Sequence, residues 1–255
     1  MGSDPDAAEW FTRLDAATAP AEVVAVGGTL DPRTLVAAYR AGCFPWPSSD
    51  DLPGSAGLDR GMLRAVRRGI VTRLAGEDTT TPWCSPDPRA VLLADAVVVR
   101  RSLRQRLRNS GWHTTMDRAF EEVVAGCADR PETWITGRMQ RAYVALAAAD
   151  GAHSLEVWDG ERLVGGLYGV LTGQVFSGES MFHRESDAAK VAVVDLCSRL
   201  LEAGVRLLDT QQATEHMAAL GQVVVRRADY VEAVRRLRDA PASLPTDRRP
   251  VSRLV

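Results

Sequence analysis

The stretch GAHSLEVWDGERLVGGLYGVLTGQVFSGESMF, Gly151 to Phe182, decides how this chain is read. It divides into three short apolar strands at Asp159-Gly160 and Thr172-Gly173, dipeptides that supply the positive φ values tight hairpins need. The pattern predicts a β-meander. Its middle strand carries Gly165, Gly166 and Gly169, residues that weaken a strand and are tolerated where a bulge forms or where something comes close to the backbone. The last strand runs into Gly178-Glu179-Ser180 and so sets a carboxylate at its end. Small residues, an apolar floor and one acid at the rim describe a pocket.

Downstream, AAKVAVVDLCSRLLEAG is apolar nearly all round, which predicts a buried helix, capped at Ser186 or Asp187 and stopped by Gly204. VRLLDTQ (Val205 to Gln211) follows as a strand. Alternation along it puts Asp209 and Gln211 on one face. A helix (ATEHMAALG), a strand (QVVVRR) and a last helix (ADYVEAVRRLRDA) complete the chain.

Upstream, VVAVGGTL is a strand, and Asp31-Pro32 opens a helix that Gly42 ends. Phe44-Pro45-Trp46-Pro47 is then extended. Residues 47 to 82, rich in Ser, Asp, Gly and Arg, read as an inserted, partly mobile loop with one short helix from Leu58 to Arg68. AVVVR is strand-like, RSLRQRLRNSGW is a helix with Arg101, Arg104 and Arg108 along one face, and Asp117 suits the N-cap of AFEEVVAGCADR. The order predicts an α+β chain. Residues 1–116 form a small N-terminal α+β domain with a long basic insertion at about 47–82. Residues 117–255 carry a meander followed by βα units, a mixed sheet flanked by helices on an acetyltransferase-like (GNAT) plan.

Composition narrows the function. At 255 residues, 25% charged and 45% apolar, the chain is an ordinary globular protein with no apolar run long enough to cross a membrane. The N-terminus, MGSDPDAAEW, is acidic and carries no basic-then-apolar leader, so a cytoplasmic location is expected. Cys43, Cys84, Cys127 and Cys197 are scattered, and His113, His153, His183 and His216 lack metal-ligand spacing, so neither a disulfide framework nor a metal site is predicted. His153 lies in an alternating strand and suits a structural role; His216 is the better candidate for a general base. Between Arg60 and Ser110, eleven arginines stand against four acids, a formal +7 within a chain of −2. Such a segment is either a solvated face or a surface for nucleic-acid phosphate, with Arg64, Arg67, Arg68, Arg101, Arg104 and Arg108 as the candidate contacts.

The chain has no G-x-x-x-x-G-K-[ST], G-x-G-x-x-G or H-E-x-x-H, and Gly178-Glu179-Ser180 lacks the closing glycine of a nucleophile elbow. What remains is a reaction needing no ATP, metal or covalent enzyme intermediate. Transfer from an activated ester to an amine is of that kind, since it is downhill and asks the protein only to position and stabilise.

GCFPW, WCSPDPR, TWI, AHSLEVW, LVGGLYG, FSGESMF and DTQ occur in that order, and together they resemble the leucyl/phenylalanyl-tRNA-protein transferase family from Val24 to about Tyr230. The resemblance implies transfer of Leu or Phe, and less readily Met, from aminoacyl-tRNA to the N-terminal Arg or Lys of acceptor proteins, which marks them for N-end-rule degradation. It also implies a pocket lined by Trp46, Trp134, Leu167, Phe176 and Glu179 and a catalytic pair Asp209 and Gln211; no cofactor and a monomer are expected. This chain departs from the family pattern at Cys84, Ala189 and Thr210. Two alternatives stand beside that reading. One is a GNAT-type N-acyltransferase using acyl-CoA, though MFHRESDAAK lacks the usual pyrophosphate loop; the other is a non-catalytic tRNA-binding protein.

Overall fold

Gly160 and Gly173 adopt φ of 59° and 60°, the left-handed conformation their hairpin turns demand. The computed structural model describes residues 6–46, 58, 60–131 and 133–255. In chain order its main elements are α1 (Ala7–Arg13), β1 (Val23–Gly28), α2 (Pro32–Arg40), β2 (Phe44–Pro45), α3 (Arg60–Arg67), β3 (Thr72–Leu74), β4 (Asp78–Cys84), β5 (Arg89–Leu93), α4 (Arg101–Asn109), β6 (His113–Met116), α5 (Phe120–Ala128) and α6 (Gly137–Ala148). There follow β7 (Ala152–Asp159), β8 (Arg162–Thr172), β9 (Val175–His183), α7 (Ala188–Glu202), β10 (Leu207–Gln211), α8 (Glu215–Ala218), β11 (Val223–Val225), α9 (Arg227–Leu237) and β12 (Arg249–Pro250).

These elements make a mixed α+β structure on two sheets. The smaller has the order β2-β4-β1-β3, the larger β11-β5-β10-β9-β8-β7-β6-β12. The meander β7-β8-β9 lies at the middle of the larger sheet, with Leu155 opposite Leu167 and Leu167 opposite Met181. α7 then crosses over so that β10 pairs parallel to β9, as a strand–helix–strand unit requires. Its apolar circumference is explained by its place: α7 buries Val191, Val193, Leu196 and Leu200 in the core on one side of the sheet, while α2, α5 and α6 cover the other.

The meander's glycines are fixed by close approach. A Cβ on Gly165 would stand 2.6 Å from the Ala188 Cβ of α7, and one on Gly169 would stand 2.4 Å from the Phe176 ring.

Four expectations change. Residues 72–82, read as part of a partly mobile insertion, belong to β3 and β4 of the smaller sheet, where the Trp83 indole at the end of β4 donates to the Gly27 carbonyl at 2.8 Å under an edge-on Phe11 ring. Residues 47–57 lie outside the described residues, and the short helix is α3. The strand near residue 96 is instead β5, because a 3-10 turn at Ala94–Ala96 ends the pairing before the valines arrive. Asp117 does not cap α5. It sits at φ 57°, accepts from the Ser154 amide at 2.8 Å and meets His153 Nδ1 at 2.9 Å, which also settles His153 as a partnered structural residue. Finally, the larger sheet takes in β5 and β6, so it crosses the division expected at residue 116.

Candidate active site

Two bulges build the site. In β9, Ser180 pairs with Tyr168 and Gly178 with Gly169, so Glu179 is the extra residue and its carboxylate is free to turn. In β10, Asp209 pairs with Val91 and Gln211 with the next residue of β5, Ala90, so Thr210 is extra. Because Val91 and Ala90 point to opposite faces, so do Asp209 and Gln211. This corrects the same-face expectation, and the physical reason is Gln211 itself, at φ 63°.

On one face, Asp209 is sealed at 0% exposure. Arg89, also at 0%, grips it with two hydrogen bonds of 2.8 and 2.7 Å, and the Tyr230 hydroxyl donates to it at 2.8 Å. The guanidinium is packed between the rings of Phe44 and Tyr230, at 4.8 and 4.3 Å. Burial acts to lower the Arg89 pKa, but the Asp209 carboxylate outweighs it and holds the guanidinium above its ordinary value. Asp209 Oδ1 also accepts from the Gln211 amide at 2.9 Å, which fixes the bulge.

Gln211 Nε2 donates to Glu179 Oε1 at 2.7 Å, and the Tyr143 hydroxyl, from α6 on the Asp209 side of the sheet, donates to Glu179 Oε2 at 2.5 Å. Tyr143 in turn lies 2.7 Å from the Tyr39 hydroxyl. Burial pushes both tyrosines well above their usual range, so they stay protonated, and since Tyr143 spends its hydrogen on Glu179, Tyr39 donates to Tyr143. Burial also pushes the Glu179 carboxyl up to about 7, against the lowering effect of these donors. Among the described residues no donor is bonded to Gln211 Oε1, and Gln211 and Glu179 line a cleft of about 170 Å³. Its other walls include Leu167, Met181, Val193, Leu208 and Met217.

The remaining candidates fall in three places. Leu167 lines the cleft, whereas Phe176 is fully buried behind it against Gly169. Trp46, 36% exposed, stacks on Trp134 with centroids 6.1 Å apart and planes 15° from parallel. Arg101, Arg104 and Arg108 are exposed on α4, which packs against α7; Arg64, Arg67 and Arg68 are exposed on and just after α3, the helix that leads into the smaller sheet. His216 follows the cleft on α8, where burial and then Lys190 and His183 lower its pKa. Sequence reasoning missed Arg89, Tyr143 and Tyr39. The one local signal was an arginine inside the apolar run PRAVLL, a charge that a buried strand admits only with a partner.

Comparison with known proteins adds a family. The model of the leucyl/phenylalanyl-tRNA protein transferase matches residues 91–235, and that of the N-terminal domain of the same protein matches residues 28–53. A leucyl/phenylalanyl-tRNA--protein transferase from Shewanella baltica (strain OS185) is 41% identical over 231 residues, covering 89% of this chain and 86% of that protein. Another from Shewanella sp. (strain ANA-3) is 39% identical over 232 residues, covering 89% and 86%. Among solved structures, a protein of unknown function from Bacteroides thetaiotaomicron VPI-5482 aligns over 64% of this chain and 58% of its own, at 12% identity and a TM-score of 0.40.

Proposed function

The chain belongs to the leucyl/phenylalanyl-tRNA protein transferase family, and on that premise we propose that it moves Leu or Phe, less readily Met, from aminoacyl-tRNA to the N-terminal Arg or Lys of acceptor proteins, marking them for N-end-rule degradation. The observation that carries the reading is Gln211, turned out of the β10 bulge and anchored on Glu179 at the wall of an apolar cleft. A dry cavity of about 150 Å³ holds benzene. The cleft, at about 170 Å³, therefore has room for one Phe or Leu side chain.

With the aminoacyl side chain in the cleft, the ester carbonyl comes to Gln211. The acceptor amine attacks that carbonyl carbon, forming C–N while the bond to the ribose 3′-oxygen breaks. One amine proton ends on that oxygen, so ester and amine become amide and ribose hydroxyl. Gln211 Oε1 accepts an N–H of the incoming amine and aims its lone pair; Glu179, gripping Nε2, keeps the amide dipole from rotating. Asp209 is a positioning residue. It reaches the chemistry through the Gln211 amide, with Arg89 balancing its charge.

The exposed face of the Trp46–Trp134 stack takes the terminal adenine, because a base gains by stacking whatever its identity. The α4 and α3 arginines take tRNA phosphates. The β9–α7–β10 crossover beside the meander supports an acetyltransferase-like plan for the larger sheet, reached through a smaller N-terminal domain. The enzyme works in the cytoplasm as a monomer and needs no cofactor.

Incubation with radiolabelled Leu-tRNA and a peptide starting with Arg tests this. The label should appear as an N-terminal Leu, and not when the peptide's amine is acetylated. Absence of transfer to the free amine would overturn the reading.

A further inference from the structure

The two edges of the larger sheet are finished differently. β12 is two residues, Arg249 and Pro250, and its proline offers no amide for another strand. Arg249 is further tied to Glu202 by two hydrogen bonds, at 2.6 and 2.9 Å. β11, at the other edge, is Val223-Val224-Val225, with the first two 52% and 54% exposed and no charge or proline within it. Proteins ordinarily protect a free edge by keeping it short or with charge, proline or a bulge; β11 is short, and Arg226 and Arg227 follow it, but its own three positions carry no charge or proline. Among the described residues no strand pairs with the outer side of β11.

That open edge is level with the reacting groups. Val224 pairs with Ala90, and Ala90 pairs with Gln211, so the three stand in one row across the sheet and on one face. Strands are spaced by about 4.8 Å, which puts β11 roughly 10 Å from β10 and an added strand roughly 14 Å away. An extended chain advances about 3.3 Å per residue, so it reaches that position some four residues after its N-terminus. Gln222, just before β11, bonds Thr210 Oγ1 at 2.6 Å, the Gln212 carbonyl at 3.0 Å and the Thr214 amide at 3.0 Å. The edge is thus fastened to the segment that carries Gln211.

We infer that the acceptor polypeptide docks by adding a short extended strand to β11, using backbone hydrogen bonds from a few residues beyond its N-terminal Arg or Lys. This rests on the proposed transferase reading. Recognition through backbone suits an enzyme whose acceptors share only their first residue, since an edge strand reads any extended sequence. It also selects acceptors whose N-terminal segment is unfolded enough to extend.

The test uses the full-length enzyme, Leu-tRNA and a twelve-residue peptide starting with Arg, N-methylated at one backbone amide at a time from position 2 to position 8. Methylation at alternate positions beyond the third should raise the acceptor KM by about 3- to 10-fold each, as loss of one backbone hydrogen bond does, and leave kcat and the Leu-tRNA KM unchanged. Val224→Lys should raise KM for the twelve-residue acceptor and leave arginine amide, too short to reach β11, unaffected. A profile flat along the peptide, or a Val224→Lys effect equal on both acceptors, would overturn the inference. Arginine amide also keeps the two proposals apart: if wild-type enzyme fails to leucylate it and the unmodified peptide alike, the transferase reading itself has failed.

Discussion

Asp209→Asn separates a group that positions from a group that reacts. The change keeps the shape of the side chain and an oxygen for the Gln211 amide, but leaves Arg89 charged at 0% exposure with no counter-ion. Removing one member of a buried pair costs about 3–5 kcal/mol. For a chain of this size each kcal/mol lowers Tm by roughly 2–4 °C, so a fall of roughly 10 °C is expected in a thermal melt. If Asp209 acts only through the bulge, the loosened Gln211 should lower kcat/KM about 100-fold, the size of effect that follows a misplacement near 1 Å. The pH profile of kcat/KM should keep both limbs, with any limb set by Glu179 displaced to lower pH, because the Asp209 charge is one of the causes that raise the Glu179 carboxyl. Arg89→Gln combined with Asp209→Asn removes both charges and leaves two amides that can bond each other. It should recover part of the lost Tm, with a coupling of about 2 kcal/mol in the double-mutant cycle. An Asp209→Asn enzyme that melts like the wild type, yet loses activity more than ten-thousandfold together with one limb of the pH profile, would show that the carboxylate itself takes the proton.

Three further outcomes can be measured directly. Glu179 has a folded pKa near 7 against an ordinary 4.5, so between those values the folded protein holds a proton the unfolded chain has released, and stability falls as pH rises through that window. Urea titrations at pH 5 and 8 should differ by up to roughly 3 kcal/mol in the wild type from this group, and the difference should shrink in Glu179→Gln. Leu167→Ala widens the cleft and should narrow the preference for Leu-tRNA over Ile-tRNA in a competition assay, by no more than the roughly 1–3 kcal/mol a methylene supplies; an unchanged ratio would remove Leu167 from the selecting wall. Replacing Arg101, Arg104 and Arg108 by Ala should flatten the log–log salt dependence of tRNA binding by roughly 0.7–0.9 for each phosphate no longer neutralised, and an unaltered slope would move the tRNA to another surface.

What was legible in the sequence was whatever is local. Asp159-Gly160 and Thr172-Gly173 signal two hairpins, and alternation then gives which residues of β7, β8 and β9 share a face up to the bulges, one of which sets Glu179 out of register. The motifs that touch substrate in the proposed mechanism, FSGES and DTQ, are likewise single stretches at strand ends. The reading failed where the outcome depends on residues far apart in the chain. Glutamine carries no signal for positive φ, so nothing in DTQ announces that Gln211 will sit at 63° and leave the face of Asp209. That turn is stabilised by Asp209 accepting the Gln211 amide, and Asp209 can be buried to do so only because Arg89, 120 residues earlier, lies on the neighbouring strand. The valines after Ala96 show the converse. Their strand propensity is as high as any in the chain, but propensity measures fit to a paired surface, and the 3-10 turn at Ala94–Ala96 takes them off the edge where β11 pairs instead. The division has a chemical sense. Groups that meet the substrate need a short motif at a strand end, whereas the charge balance that holds them in a strained conformation comes from another strand, where Arg89 of β5 faces Asp209 from 120 residues away.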